Sequence, residues 1–577
     1  MVNTCRYFMN LETIKKHKWE FCFLLLIIAG GTFLRAYNFT KWLHFEIDQT
    51  YDINTVSPAV EKGIANLPLV GPNVGGGALR LGPAFYYMEY LSALIFGDTP
   101  QGHAMQVLML NILSVPFFYI FIRRYFSREI SIGLTAVFSF SLYHIMYSRF
   151  SWSPNVLPFL VILSFYTLLR SVSKQEKHPA RWFLISIAAV TITSQIHFNS
   201  FFVVPLITAL FLLLKMPRFP LKVWAAALAI ILIIYSPLIF SDIKTGGENL
   251  GYFKDKMKKT TRSYFKPKEV IQALEYDAYG NWFIISGNDQ INGVRLTSFG
   301  FDCAACRQNL PIKLSALAIF FAGAFLLFFR IFKERDPDKK NFTILISLWF
   351  LVSIYLLYTI AKNYRMYPRF YLVMSPMAVI LFGLILDHIK PHLGKIRLAI
   401  FSLIILVLVG MNVGRIIPIF EQLADVPYSA AKNIENGDIF PNTNRLTLEE
   451  EINVVNYIEK KHRQNGFPVY LTARSEYIST YWYLLEKRGV HYYGAIGKKN
   501  LYAQGNYFDI KFSDDSQSTD SRFNILEKKD MGAVIVYYMV PKPKNATAEK
   551  QNASDRKIFG ADDELMQFLT WKKLFSK

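Results

Sequence analysis

The chain has 577 residues, of which 52% are hydrophobic, 16% aromatic and only 19% charged. That composition is too apolar for an ordinary soluble enzyme and fits a polytopic membrane protein. Its 64 Lys and Arg against 43 Asp and Glu give a net charge of +21, but the basic residues fall in alternate loops, so membrane topology explains them without nucleic-acid binding.

A spanning helix needs roughly 20 mostly apolar residues. About eleven runs meet or approach that length: 20–37, 102–122, 130–148, 155–170, 182–196, 199–214, 223–240, 312–330, 342–361, 369–388 and 397–418. The first is too long, and too plainly followed by others, for a cleaved signal peptide, so it reads as a signal anchor. Lys15, Lys16 and Lys18 precede it, Arg123, Arg124 and Arg128 follow the second run, and every second loop thereafter is basic. With positive residues inside, the amino terminus is cytoplasmic and the region after about residue 420 is extracytoplasmic. The expected location is the cell (plasma or inner) membrane, crossed many times.

Three segments then gather on the outer face. The loop 38–101 contains "LHFEIDQTYD", a Gly/Pro-rich bend, and "AFYYMEYLSALIFG", which is short, apolar and tyrosine-rich. This last piece predicts a helix lying along the membrane surface, with Tyr86 and Tyr87 as interfacial anchors or sugar-stacking rings. The "GGG" at 75–77 lacks the strand-to-helix setting of a nucleotide loop and reads as a flexible bend. The loop 241–311 carries "CAAC", in which Cys303 and Cys306 form a candidate disulfide; two cysteines alone are a poor zinc site. The tail 421–577 alternates helical patterns such as "LEEEINVVNYIEKKH" with strand-like runs such as "PVYLTA" and "GAVIVYYMV". It predicts an α/β domain of about four strands, after a membrane domain ending near residue 420.

This topology brings Glu46, Asp48, Arg80, Arg149, His197, Lys362, Arg365 and Arg369 to the outer boundary. Arg149 and His197 lie in runs with little room for solvation, where ionisable groups face a cavity or a partner. Asp52 reads as a capping or surface acid, because "DINTVSPAVEKG" continues as an exposed helix. Carboxylates opposite guanidinium groups suit attack by a hydroxyl or amine on a carbon whose leaving group is a phosphate. The acid removes a proton and the cations meet the charge on the departing phosphate.

Five stretches carry a resemblance: "FEIDQ" after the first span, "GPAFYYMEYLSALIFG", "YSRFSWSPNVLPF", "SQIHFNS" and "YPRFYLVMSP". In order and spacing, residues 20–420 resemble membrane glycosyltransferases of the GT-C fold, nearest to the bacterial protein O-mannosyltransferases and lipid A aminoarabinose transferases. The resemblance implies transfer of a monosaccharide from a polyprenyl-phosphate donor, with inversion, to an extracytoplasmic acceptor that is a protein, a glycolipid or a polysaccharide. Asp48 would be the base, with Glu46 in support. Arg80, Arg149, Lys362, Arg365 and Arg369 would hold the lipid phosphate, and His197, Tyr86 and Tyr87 would line the cavity. The chain has Asp48-Gln49 where that family often has adjacent Asp and Glu. An E-x-D pair can hold a divalent cation, but no third strong ligand is evident, so no metal or other cofactor is expected. The rival functions are a transporter or flippase of lipid-linked sugars and a non-catalytic envelope assembly protein. Charges along the bilayer midplane would favour the transporter, and here the spans are nearly charge-free.

Overall fold

The computed structural model describes residues 18–74, 77–260, 267–287, 295–297, 300–302, 310–363, 368–424, 446–490, 492–494, 496, 501–513, 519–547 and 569–576. Cys303, Cys306, Arg365 and the side chain of Lys362 lie outside the described residues.

Helix α1 (Lys18–Ala36) is followed by α2 (Ile47–Lys62), α3 (Ala84–Phe96), α4 (Pro100–Ile122), α5 (Arg128–Phe140), α6 (Leu142–Tyr147) and α7 (Leu157–Val172). Next come α8 (Pro179–Ser194), α9 (Phe198–Lys215), α10 (Leu221–Lys244), α11 (Glu248–Thr260) and α12 (Pro267–Ser286). After the short hairpin β1 (Arg295–Thr297) and β2 (Gly300–Asp302) stand α13 (Leu310–Lys333), α14 (Pro337–Asn363), α15 (Ser375–Ile389) and α16 (Arg397–Ala424). Each of the eleven apolar runs carries helix, although the run 369–388 opens with the turn Pro368–Tyr371 and is α-helical only from Ser375. Eight segments among the described residues are long and apolar enough to cross a membrane, the last of them containing both α15 and α16, and α8 is a shorter apolar helix.

Lipid replaces water as the outer solvent, so Phe21, Phe23, Leu25 and Leu26 of α1 stand exposed while its other side packs on α5. Small residues allow that approach: a Cβ on Gly31 would lie 2.0 Å from Ser139 Oγ. The third run is two helices rather than one. At the break, Asn412 of α16 accepts the Leu142 N–H at 2.8 Å and donates to the Ile285 carbonyl at 2.8 Å, while Ser141 Oγ donates to the Ile284 carbonyl at 2.7 Å. Interrupted backbone inside a membrane bundle needs such substitute partners.

The carboxy-terminal region holds α17 (Leu448–Asn465), β3 (Val469–Thr472), α18 (Ser475–Lys487), β4 (Leu501–Tyr502), β5 (Asn506–Phe512), β6 (Phe523–Asp530), β7 (Val534–Pro541), β8 (Ala546–Thr547) and α19 (Trp571–Phe575). Four strands form a mixed sheet in the order β3-β5-β7-β6, parallel between β3 and β5 and antiparallel elsewhere. A capping box starts α17: Thr447 Oγ1 accepts the Glu450 N–H, and Glu450 Oε2 accepts the Thr447 N–H at 2.7 Å. Gly466 closes it at φ 69, in the left-handed region that favours glycine.

This sheet unit sits directly on the acidic loop. The Leu448 and Glu449 N–H groups donate to the Leu43 and Lys41 carbonyls at 2.9 and 3.1 Å. The Thr480 and Thr50 hydroxyls meet at 3.2 Å, and Lys487 Nζ reaches Asp98 Oδ2 at 2.9 Å. Farther along, Trp571 Nε1 donates to Tyr87 Oη at 2.8 Å. Glu451 is wholly buried at this junction, and burial, then Glu46 and Glu450, hold its carboxyl well above the usual range. Two expectations change as a result. Asp52 is buried, not a surface acid, because α18 and α3 cover α2. Tyr86 is buried rather than interfacial, and its hydroxyl is bonded to Asp52. The lipid-facing side of α3 is instead Leu91, Leu94, Ile95 and Phe96, all exposed.

Candidate active site

Asp48 lies in the first turn of α2, whose amino-terminal cap is Glu46. Gln49 Oε1 accepts the Glu46 N–H at 3.0 Å, and His44 Nε2 lies 2.5 Å from a Glu46 carboxylate oxygen. Glu46 therefore shapes the turn that presents Asp48. The Asp48 side chain keeps open surface, yet enough protein surrounds it to matter electrostatically. Burial and then the Glu46 charge raise its carboxyl above the ordinary value, while Arg369, His44 and a hydrogen bond from Trp152 pull it back. A raised carboxyl is a stronger base at neutral pH. Neutralising Glu46 removes one raising influence, so Glu46→Gln is expected to move the acidic limb of the pH-rate profile to lower pH. The measurement is kcat/KM across pH; an unmoved limb would show that Glu46 does not act on the group that titrates.

Arg369 comes from the turn Pro368–Tyr371 just before α15. Its guanidinium lies over the Trp152 ring, 5.0 Å from the centroid, and over Phe370 at 5.3 Å. Trp152 belongs to the connection between α6 and α7 and hydrogen-bonds Asp48. One indole thus touches both the acid and the cation. His197 caps α9 through Nδ1, which accepts the Asn199 N–H at 3.3 Å, and its ring faces Phe370 at 6.4 Å. Burial and then Arg369 lower it to about 3, so it stands neutral beside the cluster. Arg80 lies near the Tyr86 hydroxyl, and its backbone is clasped by Asn249 of α11, with Asn249 Oδ1 accepting the Arg80 N–H at 2.9 Å. Tyr87 faces the other way, between the Pro68 carbonyl and Trp571.

Arg149 does not join this group. It is buried, and its Nη atoms donate to the Leu34, Arg35 and Tyr37 carbonyls at 3.0, 2.9 and 2.8 Å, beneath Trp42 and Phe420. The guanidinium closes the carboxy-terminal end of α1, where helix carbonyls lack partners and a cation is favourable. Arg149→Ala leaves three carbonyls without that donor and should cost about 3 kcal/mol or more of stability. Thermal unfolding in detergent would register the loss, whereas donor affinity of the folded fraction should hold; the reverse pattern would return Arg149 to phosphate binding.

A second polar cluster, not singled out in the sequence, adjoins the first. Behind Asp48, Asp52 accepts the Tyr86 hydroxyl, and burial, then Glu89 and Asp48, hold its carboxyl well above the usual range. Glu89 accepts Ser151 Oγ at 3.0 Å and stands 3.7 Å from His103 Nδ1, while His103 Nε2 lies 2.8 Å from Asp98 Oδ1. Burial would raise Asp98, but bonds from His103, Ser57 and Lys487 outweigh it and hold the carboxyl below the usual range. His44, Gln49, Glu89, His103 and Ser151 share the wall of a small pocket beside Asp48. These groups are spread over residues 44–151, so no local motif flags them. No group of three or more His, Cys, Asp or Glu side chains suited to a metal ion occurs among the described residues.

Comparison with known proteins bears on the fold. Residues 81–240 match the family described as dolichyl-phosphate-mannose-protein mannosyltransferase. Among solved structures, the chain is similar to ArnT from Cupriavidus metallidurans in the apo state, with 10% identity, 93% of this chain and 100% of that chain covered, and a TM-score of 0.52. The same protein bound to undecaprenyl phosphate gives 11% identity, 92% and 100% coverage, and a TM-score of 0.51. No curated protein sequence matches the chain. The chain is an integral membrane protein with the GT-C fold of ArnT over nearly its whole length, and the stretch from the bend before α3 to α10 resembles the mannosyltransferase family.

Proposed function

We propose that the protein transfers a monosaccharide from a polyprenyl-phosphate donor to an acceptor at the extracytoplasmic face, with inversion and without a divalent metal. The observation that carries this proposal is the Asp48, Trp152 and Arg369 arrangement, in which a carboxyl with raised basicity and a guanidinium share one indole. It has further support from the fold shared with an ArnT that binds undecaprenyl phosphate. Asp48 takes the proton of the acceptor hydroxyl as its oxygen attacks the anomeric carbon from the side opposite the phosphate. The carbon–oxygen bond to phosphate breaks, the electron pair leaves with the polyprenyl phosphate, and Arg369 meets the growing charge. Arg80 joins Arg369 around the donor, with the neutral His197 ring lining the cavity. Glu46 holds the turn and tunes the base. The acceptor's class, protein, glycolipid or polysaccharide, is left to the sheet unit that borders the site.

Proteoliposomes loaded with a fluorescent polyprenyl-phosphate monosaccharide separate transfer from transport. A transferase consumes the donor when acceptor is supplied and releases polyprenyl phosphate, whereas intact donor appearing in the opposite leaflet without consumption would make a flippase the better account.

A further inference from the structure

The turn Pro368–Tyr371, which carries Arg369, is held by side chains from two other elements. On one side the Tyr143 hydroxyl of α6 donates to the Pro368 carbonyl at 2.8 Å. On the other, the Tyr371 hydroxyl donates to Asp277 Oδ1 of α12 at 3.0 Å, with both residues buried. The Tyr371 ring rests against Gly280, three residues along the same helix, where a Cβ would come within 2.5 Å of the ring. The position next to Asp277 is thus shaped to receive that tyrosine. Asp277 itself makes no other side-chain acceptor bond: its Oδ2 is buried without a hydrogen-bond partner among the described residues. A buried carboxyl is expensive, and its one hydrogen bond is spent on the residue two positions after Arg369. The mobile alternative, an arginine on an unanchored turn, would have to be ordered each time a phosphate arrived, with a corresponding loss of binding.

We propose that Asp277 is a positioning residue which, through Tyr371, fixes the Arg369 guanidinium over Trp152 and opposite Asp48. The inference rests on the assignment of Arg369 to the donor phosphate. Tyr143 and Gly280 complete the grip, one by anchoring the front of the turn and the other by leaving room for the ring.

The acidic limb of kcat/KM reports where Arg369 stands, because Arg369 pulls the Asp48 carboxyl down. The other groups acting on Asp48 are His44, Glu46, Trp152 and, on its own helix, Asp52, and none of them lies on the turn. Tyr371→Phe deletes the hydroxyl and Asp277→Leu deletes the acceptor. Each is expected to move the limb to higher pH and to raise the donor KM by about tenfold, the scale of one hydrogen bond that places a charge. Asp277→Asn keeps a carbonyl oxygen for the tyrosine and should restore both quantities toward the wild type. Adding Tyr371→Phe to Arg369→Gln should produce no further shift, since the two changes act through one group. If Asp277→Leu does not fold, Tyr371→Phe carries the test alone. A Tyr371→Phe enzyme with wild-type limb and donor KM, beside an Arg369→Gln enzyme that shifts both, would overturn the positioning role. An Arg369→Gln enzyme with no shift in either would overturn the assignment of Arg369, and the positioning role with it.

Discussion

Asp48→Asn is expected to lower turnover by about 10²- to 10⁴-fold, the range that a general base contributes, with little change in donor affinity. The substitution keeps the size of the side chain and its place in the first turn of α2, but replaces the carboxylate proposed to take the acceptor's proton with an amide, which still accepts hydrogen bonds but is not basic. Folding should survive. Glu46, Gln49 and His44 hold the turn without Asp48, and removing a carboxyl charge that burial and Glu46 both disfavour relieves a cost. The residual rate should also lose its acidic limb, because the group that titrates there has gone. Steady-state kinetics across pH, with a melting curve as the control for folding, checks both parts. A folded Asp48→Asn enzyme with wild-type turnover would place the base elsewhere or remove transfer chemistry from the site.

The second large effect is expected at Arg369. Arg369→Gln should reduce kcat/KM by about 10²- to 10³-fold, the scale found when one preorganised group aimed at developing charge is lost. Both donor KM and kcat should suffer, since the phosphate is charged before the bond breaks and more so after. The acidic limb should move to higher pH: Arg369 lowers the Asp48 carboxyl, so its removal lets that carboxyl hold a proton to higher pH. Arg369→Lys should recover only part of the loss, because an ammonium neither stacks on Trp152 nor offers a planar fork to phosphate. A kinetic profile unchanged by Arg369→Gln would remove the phosphate from this part of the cavity.

The bundle was legible because apolar length is a local property, and all eleven runs carry helix. The interruption between α5 and α6 was not, since its substitute partner is Asn412, some 270 residues away in sequence. The same distinction separates the site residues. Asp48 and Arg369 stand next to helix starts whose order along the chain already brings them to one end of the bundle. Arg149 occupies a similar place in the sequence, yet its fork points back to the end of α1; an arginine outside the positive-inside pattern closes a helix as readily as it binds a ligand. Asp52 looked exposed because "DINTVSPAVEKG" is polar, but its cover is α18, more than 400 residues later. Trp152 sits within the quoted stretch "YSRFSWSPNVLPF", where the arginine drew attention and the indole did not. The Asp98, Glu89 and His103 cluster and the Asp277–Tyr371 pair likewise depend on contacts between elements, which a single sequence does not encode in any local spacing.

The carboxy-terminal sheet unit adds a constraint of its own. It touches the acidic loop through backbone bonds at Lys41 and Leu43 and through Thr480 at Thr50, two residues after Asp48. The unit is therefore continuous with the support of α2, the helix that carries Asp48.

The most direct test of the central claim is to incubate the purified wild-type protein in detergent with radiolabelled polyprenyl-phosphate monosaccharides and a cell-envelope acceptor fraction, and to follow the sugar and its anomeric configuration. The account predicts release of free polyprenyl phosphate, with stoichiometric label on the acceptor in the inverted configuration. Donor that remains intact with every sugar and acceptor fraction offered, or label transferred with retention, would contradict it.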